Sequence, residues 1–237
     1  MAAAQAYDIR SVDRAEVLRY LGYSGQQLTA ELDARIDAVV ERCLALARPT
    51  GCVRVFDVSG RDERDGEPVI SLAGTALELR GRSIAAHLAG AEAVGVLAVT
   101  LGMGVEAELR RLSLSDRVGQ LILDAAGSAL VERAADAAET TVVAAAAERR
   151  LFCGTRFSPG YGDFPLATQP VLLATLDAQR ALGITLSSEL LMAPTKSVTA
   201  VVGLFAEPRP DAGHESCAAC LCRDFCLLLR SGRTCRG

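Results

Sequence analysis

A ten-residue stretch in the last third of the chain combines the residue types of a stiff, exposed binding loop. It occupies positions 156–165 and reads Arg-Phe-Ser-Pro-Gly-Tyr-Gly-Asp-Phe-Pro. Its two prolines fix φ and lack amide donors, and its two glycines reach backbone angles that are closed to other residues. Arg156 can hold a carboxylate through two parallel hydrogen bonds, and Tyr161 offers an aromatic face. These residue types predict a loop that binds a ligand or a partner. The alternative is a rigid turn whose arginine pairs with a surface carboxylate.

A second group of residues that could do chemistry lies at the end of the sequence, where five of the eight cysteines fall within the last 21 residues. The spacing is Cys-x2-Cys-x-Cys-x3-Cys, followed by Cys235. This number of thiolates suffices for a tetrahedral zinc or an iron–sulfur cluster. The spacing matches neither a zinc ribbon nor a ferredoxin run, so the pattern leaves the metal open. The alternative is a set of reduced thiols that bind no metal.

Composition excludes several classes of function. The chain has 25 basic and 29 acidic residues and no dense basic run, which argues against nucleic acid as a partner. It contains no run of about 18 consecutive apolar residues, and its start lacks a basic region followed by an apolar one. We therefore expect a cytoplasmic protein that makes no membrane contact. With only two histidines, the sequence supports no Ser-His-Asp or Cys-His constellation, and we predict no catalytic residue.

The order of helical and extended patterns predicts an α+β fold, with helices around a twisted, mainly antiparallel sheet. Apolar residues at helical spacing predict helices at 12–22, 27–48, 83–88, 105–114, 116–150 and 169–182. Alternating or β-branched runs predict strands at 52–58, 69–72, 75–79, 95–101 and 195–205, with a charged turn at 59–66. We expect one domain over residues 1–210 and a Cys-rich metal-binding tail over 211–237.

Three segments together resemble the S-adenosylmethionine-binding activation domain of cobalamin-dependent methionine synthase. They are Arg-Phe-Ser-Pro-Gly-Tyr at 156–161, the helix that follows it, and Leu-Leu-Met-Ala-Pro-Thr-Lys-Ser-Val-Thr-Ala at 190–200. The wider order is similar to that of short free-standing members of the group. It includes Glu-Val-Leu-Arg-Tyr-Leu-Gly-Tyr at 16–23, the segment 97–102, and Asp-Ala-Ala-Gly-Ser at 124–128. The resemblance covers nearly the whole of the expected folded domain.

The resemblance implies a shallow groove that binds S-adenosylmethionine and presents its methyl group to cobalamin held by a partner in the inactive cob(II)alamin state. It assigns Arg156 and the backbone that follows to the methionine and ribose portions of the ligand. That backbone comprises Phe157, Ser158, Pro159, Gly160 and Tyr161. Glu132 on the long helix is the residue that could match a second family carboxylate. Arg150 stands where synthase-attached members carry an acidic residue six positions before the motif arginine.

The resemblance also suggests how the Cys-rich tail is used, because free-standing members tend to end in such a tail. By this analogy the metal ligands are Cys217, Cys220, Cys226 and Cys235, with Cys222 as a substitute. The implied protein is a reactivation factor that acts in trans on a cobalamin-dependent methionine synthase, with a flavodoxin or ferredoxin-type reductant. Whether such a factor counts as an enzyme is a matter of definition, since the methyl acceptor is another protein's cofactor. The alternative is a metal-cluster accessory or electron-transfer protein for another corrinoid protein.

Overall fold

A computed structural model describes residues 3–23 and 25–209 of the chain. Within these residues, runs of helices and runs of strands follow one another along the sequence, and the expected α+β class is confirmed. The predicted tail at 211–237, with all of its candidate metal ligands, lies outside the described residues. No helix in the described ranges is both long enough and apolar enough to cross a bilayer.

The bounds of the elements follow the chain order. The helices are α1 (Arg14–Tyr20), α2 (Ala30–Leu46), α3 (Arg82–His87), α4 (Met103–Ser115), α5 (Arg117–Glu148), α6 (Gln169–Leu176) and α7 (Ala178–Leu182). The strands are β1 (Gln5–Ala6), β2 (Thr50–Arg64), β3 (Glu67–Leu72), β4 (Glu78–Arg80), β5 (Ala93–Thr100), β6 (Phe152–Phe157), β7 (Thr185–Leu186), β8 (Met192–Ala193) and β9 (Ser197–Phe205).

The larger sheet has the strand order β4-β3-β2-β5-β9-β6, with β1 paired to β2, and β7 and β8 form a separate pair. The pairs β1–β2, β2–β3, β3–β4, β6–β9 and β7–β8 are antiparallel. These pairings agree with the mainly antiparallel sheet that the sequence predicts.

The first two helices begin where a side chain can satisfy a free amide. Asp13 precedes α1, and its carboxylate accepts the amide of Ala15 at 2.8 Å. Thr29 precedes α2, and its hydroxyl accepts the amide of Leu32 at 3.2 Å. Such N-caps are typical of Asp and Thr, and they explain why α2 begins a few residues later than its hydrophobic pattern indicates.

The described chain divides into two compact units. Within the described residues, the first unit is formed by 3–23, 25–54, 97–141 and 169–199. Its core contains buried side chains of α2, α5 and α6, among them Ile36, Leu123, Leu130 and Leu172. The second unit is formed, within the described residues, by 55–96, 142–168 and 200–209. Its core contains Leu79, Ile84, Leu88, Val94 and Phe164.

Two expectations about local structure are wrong. The charged segment at 59–66 is not a broad turn, because β2 continues to Arg64 and pairs with β3. Only Asp65 and Gly66 turn the chain, both at positive φ, as a two-residue hairpin turn requires. The helix expected at 169–182 is split at Asp177, whose φ of 55° places it in the left-handed region.

Candidate ligand-binding site

The conspicuous Arg-x-x-Pro-Gly-Tyr segment begins in a strand. Arg156 and Phe157 are the last two residues of β6, where Arg156 lies opposite Val202 and Phe157 opposite Val201 of β9. The expectation that a loop starts at Arg156 is therefore wrong by two residues. Pairing with β9 satisfies the backbone of these residues, and the half-buried Arg156 projects from a strand, which positions a side chain more rigidly than a loop does.

A bulge interrupts β6 just before the arginine. Cys153 lies opposite Leu204 and Arg156 lies opposite Val202, so three steps along β6 match two steps along β9. One extra residue in a strand changes the face on which the following side chains project. The bulge therefore determines the direction of Arg156, and sequence alternation alone could not have indicated it.

Residues 158–164, called the ligand loop from here on, form a compact turn held by backbone hydrogen bonds. The amide of Tyr161 donates to the carbonyl of Ser158 at 3.1 Å, and the amide of Phe164 donates to the carbonyl of Tyr161 at 3.0 Å. The amide of Gly160 donates to the carbonyl of Phe164 at 2.8 Å. Gly160 has a φ of 96°, which a residue with a Cβ rarely adopts. These three bonds define the turn, while Gly160 and Tyr161 remain exposed.

An aromatic cluster packs against this turn. The Phe157 ring lies 4.8 Å from the His87 ring, 6.1 Å from the Tyr161 ring and 6.2 Å from the Phe164 ring, measured between centroids. Phe164 is 1% exposed and Tyr161 is 57% exposed. The buried Phe164 therefore anchors the end of the loop in the core, while Tyr161 in the middle of the loop presents an aromatic side chain to solvent.

The short helix α3 contacts both the strand and the loop. The carboxylate of Asp163 accepts the amides of Arg82 and Ser83, each at 2.8 Å. The Ser83 amide, followed by smaller contributions that include the Arg82 amide, holds the pKa of Asp163 below its usual range. At the other end of the helix, Nε2 of His87 lies 2.8 Å from the carbonyl oxygen of Thr155. Sequence reasoning missed the contact between Asp163 and α3, because nothing local links positions 81 residues apart.

The structure places Glu132 on α5, half-buried and in the first unit, whereas Arg156 and the ligand loop belong to the second unit. A role for Glu132 in the same site stays a prediction. Arg150 follows α5 in the left-handed region, with a φ of 59°, and its side chain is exposed. Within the described ranges no three His, Cys, Asp or Glu side chains are grouped as a metal would require.

The Pro-Thr-Lys-Ser-Val segment meets the Asp-Ala-Ala-Gly-Ser segment within the first unit. The carboxylate of Glu106 accepts both the amide and the hydroxyl of Thr195, at 2.9 and 2.7 Å. The ammonium group of Lys196 contacts Asp124 and Ser128 on α5. Two segments that are distant in sequence are therefore joined by polar contacts.

Comparisons with known proteins agree with this architecture. A family model described as "Vitamin B12 dependent methionine synthase, activation domain" matches residues 83–211, which is more than half of the chain. The fold is similar to that in the "Crystal Structure of the MetH Reactivation Domain bound to AdoHcy", with a TM-score of 0.61 and 13% sequence identity. The match covers 99% of this chain and 86% of that chain. No protein with a curated function matches the sequence.

Proposed function

Because the chain belongs to the family of the vitamin B12-dependent methionine synthase activation domain, we propose that it binds S-adenosylmethionine at Arg156 and the ligand loop. In this proposal the bound ligand serves the reductive methylation of cob(II)alamin on a separate cobalamin-dependent methionine synthase. The corrinoid on that partner supplies the metal centre that accepts the methyl group, and a flavodoxin or ferredoxin-type reductant supplies the electron. The present chain binds and orients the methyl donor.

The observation that carries the proposal is the arrangement of Arg156 and the turn that follows it. A guanidinium group on a paired strand suits the ligand's carboxylate, because it can donate two parallel hydrogen bonds without large loss of side-chain freedom. Three residues farther along, Pro159 leads into Gly160, whose missing side chain lets a ligand approach the backbone closely. The solved reactivation domain that shares this fold is described as bound to AdoHcy, the demethylated form of the same ligand.

Calorimetric titration tests this proposal with both S-adenosylmethionine and S-adenosylhomocysteine. We expect saturable binding to the wild-type protein and its loss in Arg156→Ala. Arg10→Ala is the matched control, because Arg10 is an exposed arginine that, in the described part of the chain, pairs with the nearby, exposed Asp8. Binding that is absent from the wild type, or that survives in Arg156→Ala, would contradict the proposed site.

We also propose that Glu132 contributes a weaker contact to the ligand. Its control is Glu139, which lies seven residues later on α5 and is also half-buried. We expect Glu132→Gln to weaken S-adenosylmethionine binding severalfold and Glu139→Gln to leave it unchanged. Equal affinities in the two variants would remove Glu132 from the site.

A further part of the proposal is that Cys217, Cys220, Cys226 and Cys235 bind zinc or an iron–sulfur cluster in the cytoplasm, where thiols stay reduced. The last described residue, Arg209, lies beside α3, because its guanidinium group donates to the carbonyl of His87 at 3.1 Å. Cys217 lies eight positions after Arg209, and an extended chain of that length reaches roughly 29 Å at most. A cluster held by these cysteines would be within reach of the ligand loop, where in this proposal the partner's cobalamin receives the methyl group and the electron.

Metal analysis of anaerobically purified protein tests this part independently of ligand binding. We expect zinc or iron in the wild type, its loss in Cys217→Ser/Cys220→Ser, and its retention in Cys153→Ala, which alters a described cysteine of β6. Reactivation of a synthase without its own activation domain then shows whether the metal matters. An iron–sulfur absorbance with no binding of S-adenosylmethionine would favour the alternative, an electron-transfer protein for another corrinoid protein.

A further inference from the structure

Helix α3 receives its N-terminal cap from the ligand loop. Gly81, which precedes the helix, has no side chain to cap it. The two oxygens of Asp163 instead accept the amides of Arg82 and Ser83, both at 2.8 Å, so a single carboxylate satisfies two of the helix's free donors. The hydroxyl of Ser83 in turn lies 3.4 Å from the amide of Asp163. The start of the helix therefore both donates hydrogen bonds to Asp163 and accepts one from it.

Two glycines permit this close approach. A Cβ atom at position 162 would lie 2.4 Å from Oγ of Ser83 and 2.8 Å from its Cβ. A Cβ atom at position 81 would lie 2.8 Å from the carbonyl oxygen of Asp163. Both distances are shorter than real contacts allow, so the loop can rest on the helix only because both positions are glycine.

The helix is itself fixed to the core and to the strand before the loop. Ile84 and the adjoining Leu88 are fully buried. The ring of His87 contacts the carbonyl of Thr155 in β6 and packs on Phe157. Helix α3 thus has two contacts with the binding segment. The first turn of the helix bonds to Asp163 near the end of the loop, and the last turn contacts β6 just before the loop.

We propose that Asp163 is a positioning residue for S-adenosylmethionine, which presupposes that the ligand loop binds this ligand as proposed above. By capping α3 it holds residues 158–162 in the shape that receives the ligand. Without the cap, the hydrogen-bonded turn keeps its local bonds but loses its bonds to α3, and the buried Phe164 is left to anchor this end of the loop. The ligand then has to order the loop when it binds, and its affinity falls.

The test compares Asp163→Ala with Asp13→Ala, because both remove an aspartate that caps a short helix. Asp13 caps α1, which contributes no residue to the ligand loop or to β6. We expect both variants to lose stability, but only Asp163→Ala to weaken S-adenosylhomocysteine binding, by roughly tenfold, as expected for loss of a good cap. Asp163→Asn keeps one acceptor oxygen and should restore part of the affinity, which general destabilisation would not do. Asn also serves if the alanine variant fails to fold.

Hydrogen exchange in the ligand-free proteins provides the second measurement. We expect faster exchange of the amides at 82–83 and 158–164 in Asp163→Ala, and wild-type exchange there in Asp13→Ala. If the wild type binds S-adenosylhomocysteine, unchanged affinity in Asp163→Ala would overturn the positioning role of Asp163 and leave the proposed function intact. Unchanged hydrogen exchange of the loop in Asp163→Ala would do the same. If the wild type binds neither ligand, the proposed function is overturned, and so is the role of Asp163 in positioning that ligand. The exchange data would still decide whether Asp163 holds the loop.

Discussion

The ammonium nitrogen of Lys196 lies 2.8 Å from a carboxylate oxygen of Asp124. Lys196 is the only lysine in the chain, and its side chain is 11% exposed, whereas that of Asp124 is 56% exposed. The lysine also donates to the hydroxyl of Ser128 at 2.9 Å. Its stem crosses α5 at Gly127, where a Cβ atom would lie 3.2 Å from it. A buried cation thus joins the segment before β9 to the long helix.

This difference in burial predicts an asymmetry between the two partners. Asp124→Ala leaves a largely buried ammonium group with one hydroxyl partner, and we expect a loss of about 1–3 kcal/mol in the free energy of unfolding. Lys196→Met keeps the apolar stem and leaves only an exposed carboxylate, so we expect a change within about 1 kcal/mol. Urea denaturation measures both. Equal losses of unfolding free energy in the two variants would show that the burial of the lysine does not determine the cost of breaking the pair.

A second prediction concerns the close contact between Gly95 in β5 and Val142 in α5. A Cβ atom at position 95 would lie 2.5 Å from Cγ1 of Val142, so Gly95→Ala should destabilise by about 1–3 kcal/mol through overpacking. Val142→Ala alone should also destabilise, because it empties volume in a fully buried position. In the double variant the new methyl group occupies the space that Val142 vacates. We expect a loss smaller than the sum of the two single losses by about 1 kcal/mol or more. Simple additivity in urea denaturation would contradict this contact.

Much of the framework could be predicted from sequence because it depends on local patterns. The apolar run at 95–101 corresponds to β5, whose eight residues are all buried. The Ala-rich segment at 116–150 corresponds to α5, and Asp13 caps α1 within the helix predicted at 12–22. In each case periodicity or a capping residue within a short window determines the element.

The parts of the site that could not be predicted depend on distant partners. Strand β6 is short and is interrupted by a bulge, and it exists because β9 pairs with it some fifty residues later. The cap on α3 comes from Asp163, 81 residues away from Arg82. The break at Asp177 places a non-glycine residue at positive φ, which sequence patterns rarely indicate. The sequence therefore indicates Arg156 as a candidate site residue, but it does not indicate the bulge and the strand pairing that orient its side chain.

A third prediction concerns acid stability. Arg111 donates to Glu108 at 2.8 and 3.0 Å and, with a weaker contribution from Arg42, lowers the pKa of Glu108 to about 2. A depressed folded pKa means that Glu108 stabilises the fold fully above the usual glutamate range, near pH 4.3, and that this contribution disappears as the pH falls towards about 2. We expect the free energy of unfolding of the wild type to fall across this window. Glu108→Gln should show a smaller fall, because its side chain does not titrate.

The control for that experiment is Glu41→Gln, the same substitution at an exposed position of α2. Its pH dependence between pH 5 and 2 should follow that of the wild type, because no arginine among residues 3–23 and 25–209 makes a comparable pair of contacts with Glu41. Parallel curves for all three proteins would show that the arginine contacts of Glu108 do not contribute to stability in solution.

A fourth prediction separates backbone strain from ligand binding at Gly160. A Cβ atom there would contact only Leu166, at 3.8 Å, so the cost of Gly160→Ala comes from its φ of 96° and not from crowding. Gly183→Ala is the matched control, since Gly183 ends α7 at a φ of 71° with nothing within 4 Å of the added atom. Both variants should lose about 1–2 kcal/mol of stability through strain. Only Gly160→Ala should also weaken S-adenosylmethionine binding, because it adds an atom and a strained angle at the backbone that we propose the ligand approaches. Calorimetry and thermal unfolding on the same samples decide the point, and equal affinities in the two variants would show that the ligand does not approach the backbone at Gly160.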